Sequence, residues 1–253
     1  VQGELGLTDD VLCVDIPQAR AGYVVGLMQC FMLLEHMEGK KVLLCTGETF
    51  CRGNKEKQEP PYYRAPFGGD AANITIVENG GQDKICYEFH QDGSQRKCLV
   101  IPDGAFRNPM TVEQIQNQIV RMPLTGVVMD GSTVFNFAQK EVPILVDSLT
   151  KMAETTKEDI DWFLFHQPNK FMLQKLAERI GVPFEKMPMD IVEKFGNSNS
   201  ATIPTAITAD LKEEMLNKES LCCLAGFGAG VAWAGIIMKM GNMDFCDTII
   251  SDL

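Results

Sequence analysis

The chain has 253 residues, of which 45% are hydrophobic and 23% charged, a composition typical of an ordinary soluble globular protein. Its formal net charge of -11 argues against nucleic acid as a partner, because a phosphate-binding surface needs an excess of Lys and Arg. No apolar run approaches the roughly 20 residues that cross a bilayer, and the start of the chain lacks the pattern of a signal peptide. We therefore expect a cytoplasmic protein without a membrane span.

The nine cysteines form no Cys-x-x-Cys pair, and their number is odd. Regular cysteine spacing marks zinc sites and disulfide frameworks. We therefore expect reduced thiols that pack as small apolar side chains, and no metal site.

The first predicted elements surround a long apolar helix. Val14 closes a predicted strand, Pro17 marks a tight connection, and apolar residues over 23–37 recur with helical spacing. Small residues at the start of this helix would let it approach its neighbours closely. These residues are Ala19, Ala21, Gly22 and Gly26.

Further strands are predicted in the middle of the chain. The continuous apolar run over 40–48 is typical of a strand buried on both faces. Residues 67–81 return to a strand pattern, and residues 84–101 indicate two more strands. Residues 49–66 are a predicted polar loop, and residues 102–125 a predicted linker.

The second part of the chain alternates helices with apolar strands, which implies an α/β layered fold. We divide the chain into two halves, residues 1–124 and 125–253. The predicted elements of the second half are a helix over about 130–153, a strand over 160–167, a helix from Lys170, a helix after Pro204, and strands over 220–226 and 231–239.

A cation occupies an unexpected place at the start of the predicted helix over 23–37. Arg20 lies at its first turn, where a partial positive charge and unpaired N–H groups favour an anion or a thiolate. Because an unpaired buried charge is costly, we expect a carboxylate from a nearby loop or an escape route that lets the side chain reach solvent.

Histidine is rare in this sequence, with three in all. His36 lies among charged residues and His90 at a strand end, and we interpret both as surface residues. His166 ends an apolar strand and is followed by Gln-Pro-Asn, so it should project from the carboxyl end of the strand, where α/β folds build their sites. A histidine at the end of a strand has a purely structural role about as often as it belongs to a functional site.

Two further polar or glycine-rich segments are candidates for the same site. FGNSNSATIP places Asn197 at a turn before a helix, where an ordinary N-cap is the alternative interpretation. GFGAGVAWAG joins two strands through Gly228 and Gly230, whose N–H groups could face an oxyanion. A plain tight turn would give the same pattern.

Together, these motifs carry a family resemblance. The order of DIPQARAGY, FGGDAA, DWFLFHQPNK, FGNSNSATIP and GFGAGVAWAG resembles the thiolase-fold condensing enzymes, specifically β-ketoacyl-acyl carrier protein synthase III and its close relatives. The resemblance implies a thiolase-like layered αβαβα fold of two similar halves. Because it begins at the segment leading into the nucleophile strand, we expect a truncated or cleaved chain with an incomplete N-terminal half.

The resemblance also implies site residues. In this family a cysteine at the start of the buried helix attacks an acyl thioester, while a histidine and an asparagine hold the thioester carbonyl. The motifs place His166 and Asn197 in the last two roles, and Asn169, Gly228 and Gly230 as substrate-binding residues. The nucleophile's position falls on Arg20, which cannot lose its proton or form an acyl thioester.

Three functions remain open. The chain resembles an acyltransferase of fatty-acid or polyketide type that binds acyl or malonyl thioesters of coenzyme A or acyl carrier protein, with no other cofactor. It could instead be a non-catalytic partner subunit of a Cys-bearing homologue, or a degenerate paralogue. We expect a homodimer or heterodimer, because the apolar strand over 42–46 needs its edge covered.

Overall fold

The structure is a computed structural model that describes residues 1–49, 68–81, 83–102 and 128–251, together with isolated positions at 106, 108–109, 111–113 and 116. The predicted polar loop after Thr49, which itself ends a strand, and most of the predicted linker over 102–125 lie outside the described residues.

The described helices are α1 (Gly22–Leu34), α2 (Gly131–Met152), α3 (Lys170–Ile180), α4 (Ile191–Phe195), α5 (Thr202–Asp210) and α6 (Lys212–Asn217). The described strands are β1 (Lys41–Thr49), β2 (Asp70–Glu78), β3 (Cys86–Gln91), β4 (Leu99–Val100), β5 (Val128–Met129), β6 (Trp162–Phe165), β7 (Glu219–Gly228) and β8 (Ala232–Gly241). The long predicted helices and the strands of the second half are therefore present, with ends that differ by a few residues.

The main sheet has four strands in the order β3-β8-β7-β6. Strands β6 and β7 run parallel, with Phe165 opposite Ala225, whereas β8 is antiparallel to both β7 and β3. Strand β3 precedes residue 124, whereas the other three strands of this sheet follow residue 124. This sheet therefore crosses the boundary that we drew between the two halves.

The second sheet pairs β1 with β2 in antiparallel register. Our prediction that the run over 40–48 is buried on both faces is wrong, because side chains of β1 alternate between exposed positions and half-buried or buried ones. Leu44 is 8% exposed and packs in the core with α1, whereas Leu43 is 40% exposed. An apolar run identifies a strand, but the elements stacked on each face decide its burial.

The elements stack in layers around the main sheet. On one face of this sheet, α2 and α3 pack against Phe163 and Phe165. On the other face, Leu164 and Leu224 pack against α1 and α5. Helix α1 also contacts Leu44 and other core residues of the second sheet, so it is buried between two sheets. This arrangement is a layered α/β fold.

The burial of α1 explains its composition. A helix segment that is apolar on all sides must be covered on all sides. This holds for residues 22–27, which are all buried, whereas Met32 and Leu33 near the C-terminal end are exposed. A Cβ at Gly26 would lie 2.6 Å from Cδ1 of Leu44. On strand β7 of the main sheet, a Cβ at Gly226 would lie 2.6 Å from the carbonyl oxygen of Arg20. The close packing predicted from Ala21, Gly22 and Gly26 is therefore present.

The segment that leads into α1 differs from the prediction. Residues 11–18 have no regular secondary structure, so the strand expected to end at Val14 is wrong. Among the described residues, no strand pairs with this segment, and Leu12 and Val14 are exposed. An apolar pattern cannot form a strand without a neighbour that accepts and donates its backbone hydrogen bonds.

The turn at Gly196 provides a test of the close backbone contacts. Gly196 has a φ of +72°, and a Cβ there would lie 2.3 Å from the carbonyl oxygen of Gly68. Gly181 is in the ordinary left-handed region, with a φ of +82° and a ψ of +37°, and has nothing within 4 Å of its would-be Cβ. Gly196 combines its contact with a ψ of 177°, a region open essentially to glycine alone, so Gly181 is the control for both effects together. We expect Gly181→Ala to lower the free energy of unfolding by about 1 kcal/mol through its backbone conformation, and Gly196→Ala by about 3 kcal/mol. Urea unfolding of both variants measures the difference, and equal losses would contradict the contact.

Candidate active site

Arg20 lies in the 3-10 turn Ala19–Ala21, which leads directly into α1. Ala19 has a φ of +44°, a region that residues with a Cβ seldom adopt. The Arg20 side chain crosses strand β7, where a Cβ at Gly228 would come within 2.2 Å of its Cδ. Gly226 and Gly228 therefore leave the space that Arg20 occupies.

The Arg20 guanidinium is a fixed positive charge with an acidic group near it. Burial lowers the pKa of Arg20, and the negative charge of Glu48 opposes this effect. Burial raises the pKa of Glu48, while the side chain of Asn199 and the charge of Arg20 act to lower it. An arginine remains protonated at neutral pH. The acidic group that we expected on a loop thus lies near the end of strand β1.

His166 directly follows strand β6, as predicted, and is 1% exposed. Its backbone N–H donates to the carbonyl oxygen of Ala225 over 2.8 Å, and its ring meets the edge of Phe227 with centroids 5.7 Å apart. Burial, with a further contribution from the charge of Arg20, lowers the pKa of His166 to about 3, although the carbonyl of Asn199 opposes the shift. The imidazole is therefore neutral at physiological pH.

Hydrogen bonds around Thr202 determine which nitrogen of this neutral ring carries the proton. The Thr202 hydroxyl donates to the carbonyl oxygen of Asn199 over 2.8 Å and accepts from the N–H of Gln167 over 3.2 Å. Its only hydrogen is then used. Nδ1 of His166, 2.8 Å from the same oxygen, must therefore be the donor. This assignment, made from the surrounding hydrogen bonds, leaves Nε2 with a lone pair.

Asn197 is positioned by the contact of two glycine-containing motifs. It forms an isolated β-bridge with Gly68, and its carbonyl oxygen accepts from the N–H of Gly69 over 3.1 Å. Its side-chain oxygen accepts from the N–H of Asn199 over 3.0 Å. This bond fixes the orientation of the amide, so that Nδ2 is the donor end. The N-cap role that we considered for Asn197 is wrong, because Ser198 is the N-cap of the 3-10 turn Asn199–Ala201 and Ala201 is the N-cap of α5.

Asn199 connects these residues to one another. It is 7% exposed, and its φ of +46° lies in the left-handed region that asparagine tolerates. Its N–H bonds to Asn197, its carbonyl accepts from Thr202, and its side chain interacts with Glu48. We did not single out Asn199 or Thr202 from the sequence, because a polar turn before a helix is usually interpreted as a cap. We did not single out Glu48 either, which lies at the end of a predicted strand with no local signal of a site.

The three remaining predicted site residues, which we expected to bind substrate, differ in their contacts and exposure. Gly228 contacts Arg20, as described above. The side-chain oxygen of Asn169 caps helix α3 by accepting from the N–H of Met172 over 2.8 Å. Gly230 is exposed in the turn between β7 and β8, with a φ of +137°. Substrate contact by Asn169 and Gly230 stays a prediction.

The described cysteines are all free thiols. Cys30 is buried on α1, and burial raises its pKa to about 11. Cys13 is exposed in the irregular segment before α1. Within the described part of the chain, no group of three or more His, Cys, Asp or Glu could hold a metal ion, and no helix is both long and apolar enough to cross a membrane.

Comparisons with known proteins agree on one family. The model of a family described as 3-oxoacyl-[acyl-carrier-protein (ACP)] synthase III C terminal matches residues 150–240. The β-ketoacyl-[acyl-carrier-protein] synthase III of Synechocystis sp. is 30% identical over 240 residues, which cover 94% of this chain and 70% of that protein. The chain belongs to the β-ketoacyl-[acyl-carrier-protein] synthase III family. The Natranaerobius thermophilus synthase of the same name is 29% identical, with coverage of 94% and 71%.

Solved structures support the same assignment. A 3-oxoacyl-(acyl-carrier-protein) synthase from Burkholderia xenovorans matches with a TM-score of 0.83 and 32% identity, covering 98% of this chain and 70% of that one. A crystallised 3-oxoacyl-(acyl-carrier-protein) synthase III matches with a TM-score of 0.78 and 30% identity, covering 94% and 71%. The family and the thiolase-like α/β fold expected from the sequence are thus confirmed. The roles of Arg20, His166 and Asn197 stay predictions.

The buried imidazole makes the stability of this family member depend on pH. The pKa of His166 is about 3 in the folded chain against 6.5 for an ordinary histidine. The unfolded chain binds more protons between these values, so the contribution of His166 is fully present above pH 6.5 and is lost as the pH falls toward 3. From pH 7 to pH 5, we expect the wild type to lose about 2 kcal/mol more unfolding free energy than His166→Gln. Urea titrations at both pH values measure this, and parallel losses would refute it.

Proposed function

We propose that this protein binds malonyl or other acyl thioesters of coenzyme A or acyl carrier protein and catalyses decarboxylation of the malonyl group. Under this proposal it is an acyltransferase of fatty-acid or polyketide type that resembles β-ketoacyl-acyl carrier protein synthase III. The covalent acylation step is missing, because Arg20 occupies the position of the nucleophile. The observation that carries the proposal is that Arg20 and His166 both lie against strand β7, while Asn199 and Thr202 connect Asn197 to His166 by hydrogen bonds. Membership of the synthase III family supports the substrate class.

The chemistry requires donors where negative charge develops. Decarboxylation breaks the bond between the carboxylate and the α-carbon, carbon dioxide leaves, and the electron pair moves onto the thioester oxygen as an enolate. Preorganised donors in a site shielded from water stabilise such an oxyanion. Asn197 offers its Nδ2 group, and the cationic Arg20 adds donors and positive charge.

The same residues argue against a covalent acyl intermediate on this chain. A thioester to the enzyme needs a thiolate, and a guanidinium provides neither a thiol nor a proton that it can lose. The decarboxylation half-reaction needs no covalent bond to the enzyme. It can therefore continue where ordinary two-step condensation cannot.

We expect His166→Ala and Asn197→Ala each to lower the rate of malonyl thioester decarboxylation by about a hundredfold to a thousandfold in the full-length protein, because each removes a group beside the developing oxyanion. His36→Ala is the matched control, since His36 is exposed in the turn that follows α1. Carbon dioxide release from labelled malonyl thioesters measures the rate. Full activity in both site variants would contradict the proposal.

Arg20→Cys tests the missing nucleophile. A cysteine just before α1 would lie at a helix N-terminus, which favours the thiolate. We expect this variant to form an acyl adduct that the wild type does not form. Intact-protein mass after incubation with labelled acyl thioesters detects the adduct. No decarboxylation by the wild type together with no acylation of Arg20→Cys would rule out the enzymatic function.

A partner subunit is the second candidate, because Arg20 prevents this chain from carrying an acyl group itself. Such a subunit would pair with a Cys-bearing homologue, and activity would appear only on mixing the two. The outer face of the second sheet is apolar, with Leu43 opposite Ile76 and both about 40% exposed. We propose that the full-length protein forms a homodimer or heterodimer. A monomer in sedimentation, alone and with the homologue, would contradict this.

A further inference from the structure

Building on the proposed function, we infer that Gly69 and Asn73 are positioning residues that hold the amide of Asn197 in place for the reaction. We call residues 68–73, which include the start of strand β2, the brace, and residues 195–201, which carry Asn197, the site turn. Gly69 and Asn73 act on the reaction through the site turn and not by touching the substrate.

The first contact joins two backbones. Gly68 forms the β-bridge with Asn197, and the N–H of Gly69 donates to the carbonyl oxygen of Asn197 over 3.1 Å. A Cβ at Gly69 would lie 2.0 Å from the carbonyl oxygen of Phe195 and 2.8 Å from the carbonyl carbon of Gly196. Because a real Cβ stays at least about 3 Å from such atoms, glycine at position 69 is what lets the brace approach the site turn so closely.

The second contact is made by a side chain of β2. Nδ2 of Asn73 donates to the carbonyl oxygen of Ala201 over 3.3 Å and to the hydroxyl oxygen of Thr205 over 3.2 Å. The Thr205 hydroxyl donates to the same carbonyl oxygen of Ala201 over 2.8 Å. These three bonds form a closed set at the point where the site turn leads into α5.

The site turn connects both contacts to the side chain of Asn197. The N–H of Ala201 donates to the carbonyl oxygen of Ser198 over 2.9 Å, which closes the 3-10 turn. At the start of that turn, the N–H of Asn199 donates to Oδ1 of Asn197 over 3.0 Å. The brace therefore holds Asn197 by its backbone at one end and, at the other end, holds the turn that orients its amide.

The position of Nδ2 matters because an oxyanion donor acts only where it is aimed at the developing charge. A misplacement of about 1 Å at a reacting centre can cost about a hundredfold in rate. A Cβ at Gly69 has to retreat from 2.0 Å to about 3 Å from the carbonyl oxygen of Phe195, so it separates the brace and the site turn by roughly 1 Å. The expected effect on the reaction is therefore large, although Gly69 itself carries no chemistry.

Decarboxylation kinetics of the full-length protein test the role of Gly69. We expect Gly69→Ala to lower kcat with malonyl thioesters by about a hundredfold, with a smaller change in KM. Gly47→Ala is the matched control on the outer face of β1 in the same sheet, where a Cβ would make ordinary contact 3.6 Å from Cβ of Ala72. We expect this control to keep the wild-type kcat.

A second pair of variants tests the role of Asn73. We expect Asn73→Ala to lower kcat by about tenfold, because it removes hydrogen bonds but leaves the backbone bridge in place. Asn79→Ala is its control, since Asn79 donates from the same kind of side chain to the carbonyl oxygen of Leu34, beyond the other end of β2. If Gly69→Ala fails to fold, the comparison of these two variants decides.

A double-variant cycle separates positioning from general loosening of the structure. If Gly69 acts through Asn197, adding Gly69→Ala to Asn197→Ala should lower kcat further by about twofold at most. A further loss of about a hundredfold would indicate a purely structural effect and overturn the inference. An active wild type whose kcat is unchanged in Gly69→Ala and Asn73→Ala would also overturn it, and would leave the proposed function intact.

Nuclear magnetic resonance with 15N-labelled asparagine tests the geometry independently of activity. The side-chain signals of Asn197 are assigned by their loss in Asn197→Ala. We expect these signals to shift in Gly69→Ala and Asn73→Ala, and to keep their positions in Gly47→Ala and Asn79→Ala. Unshifted signals in both brace variants would overturn the inference. An inactive wild type whose signals shift as expected would refute the proposed function alone.

Discussion

The burial of α1 between two sheets is the constraint on which the rest of the site depends. A helix that is apolar on all sides is stable only where every side is covered. The glycines at its contacts bring β1 and β7 close to its start. Arg20 must therefore lie at the meeting point of both sheets. Glu48 at the end of β1 and Gly228 at the end of β7 become its neighbours for the same reason.

The electrostatics of the site follow from this placement. A permanent cation in a partly buried position disfavours a second positive charge nearby, and burial acts on His166 in the same direction. The imidazole is therefore held neutral, and the polar contacts of Thr202 decide which nitrogen can act. A site of this kind differs from a thiolate site. Under the proposed function, its fixed positive charge suits an enolate better than a covalent acyl group.

Asn199 shows why the polar part of the site is rigid. Its N–H, carbonyl and side chain each serve a different residue, and its backbone takes a left-handed conformation to do so. Buried polar groups are costly when they lose a partner. A change at Asn197, Thr202 or Glu48 therefore leaves another buried group unsatisfied, and the three are not independent.

The sequence by itself determined the family, the layered α/β fold, and the positions of Arg20, His166 and Asn197, because these depend on local patterns and on the order of motifs along the chain. It did not reveal the exposed face of β1 or the membership of β3 in the main sheet. Only the tertiary structure brought Glu48 and Thr202 to the site. The physical reason is that burial, charge interaction and the tautomer of a histidine depend on groups that are close in space and distant in sequence.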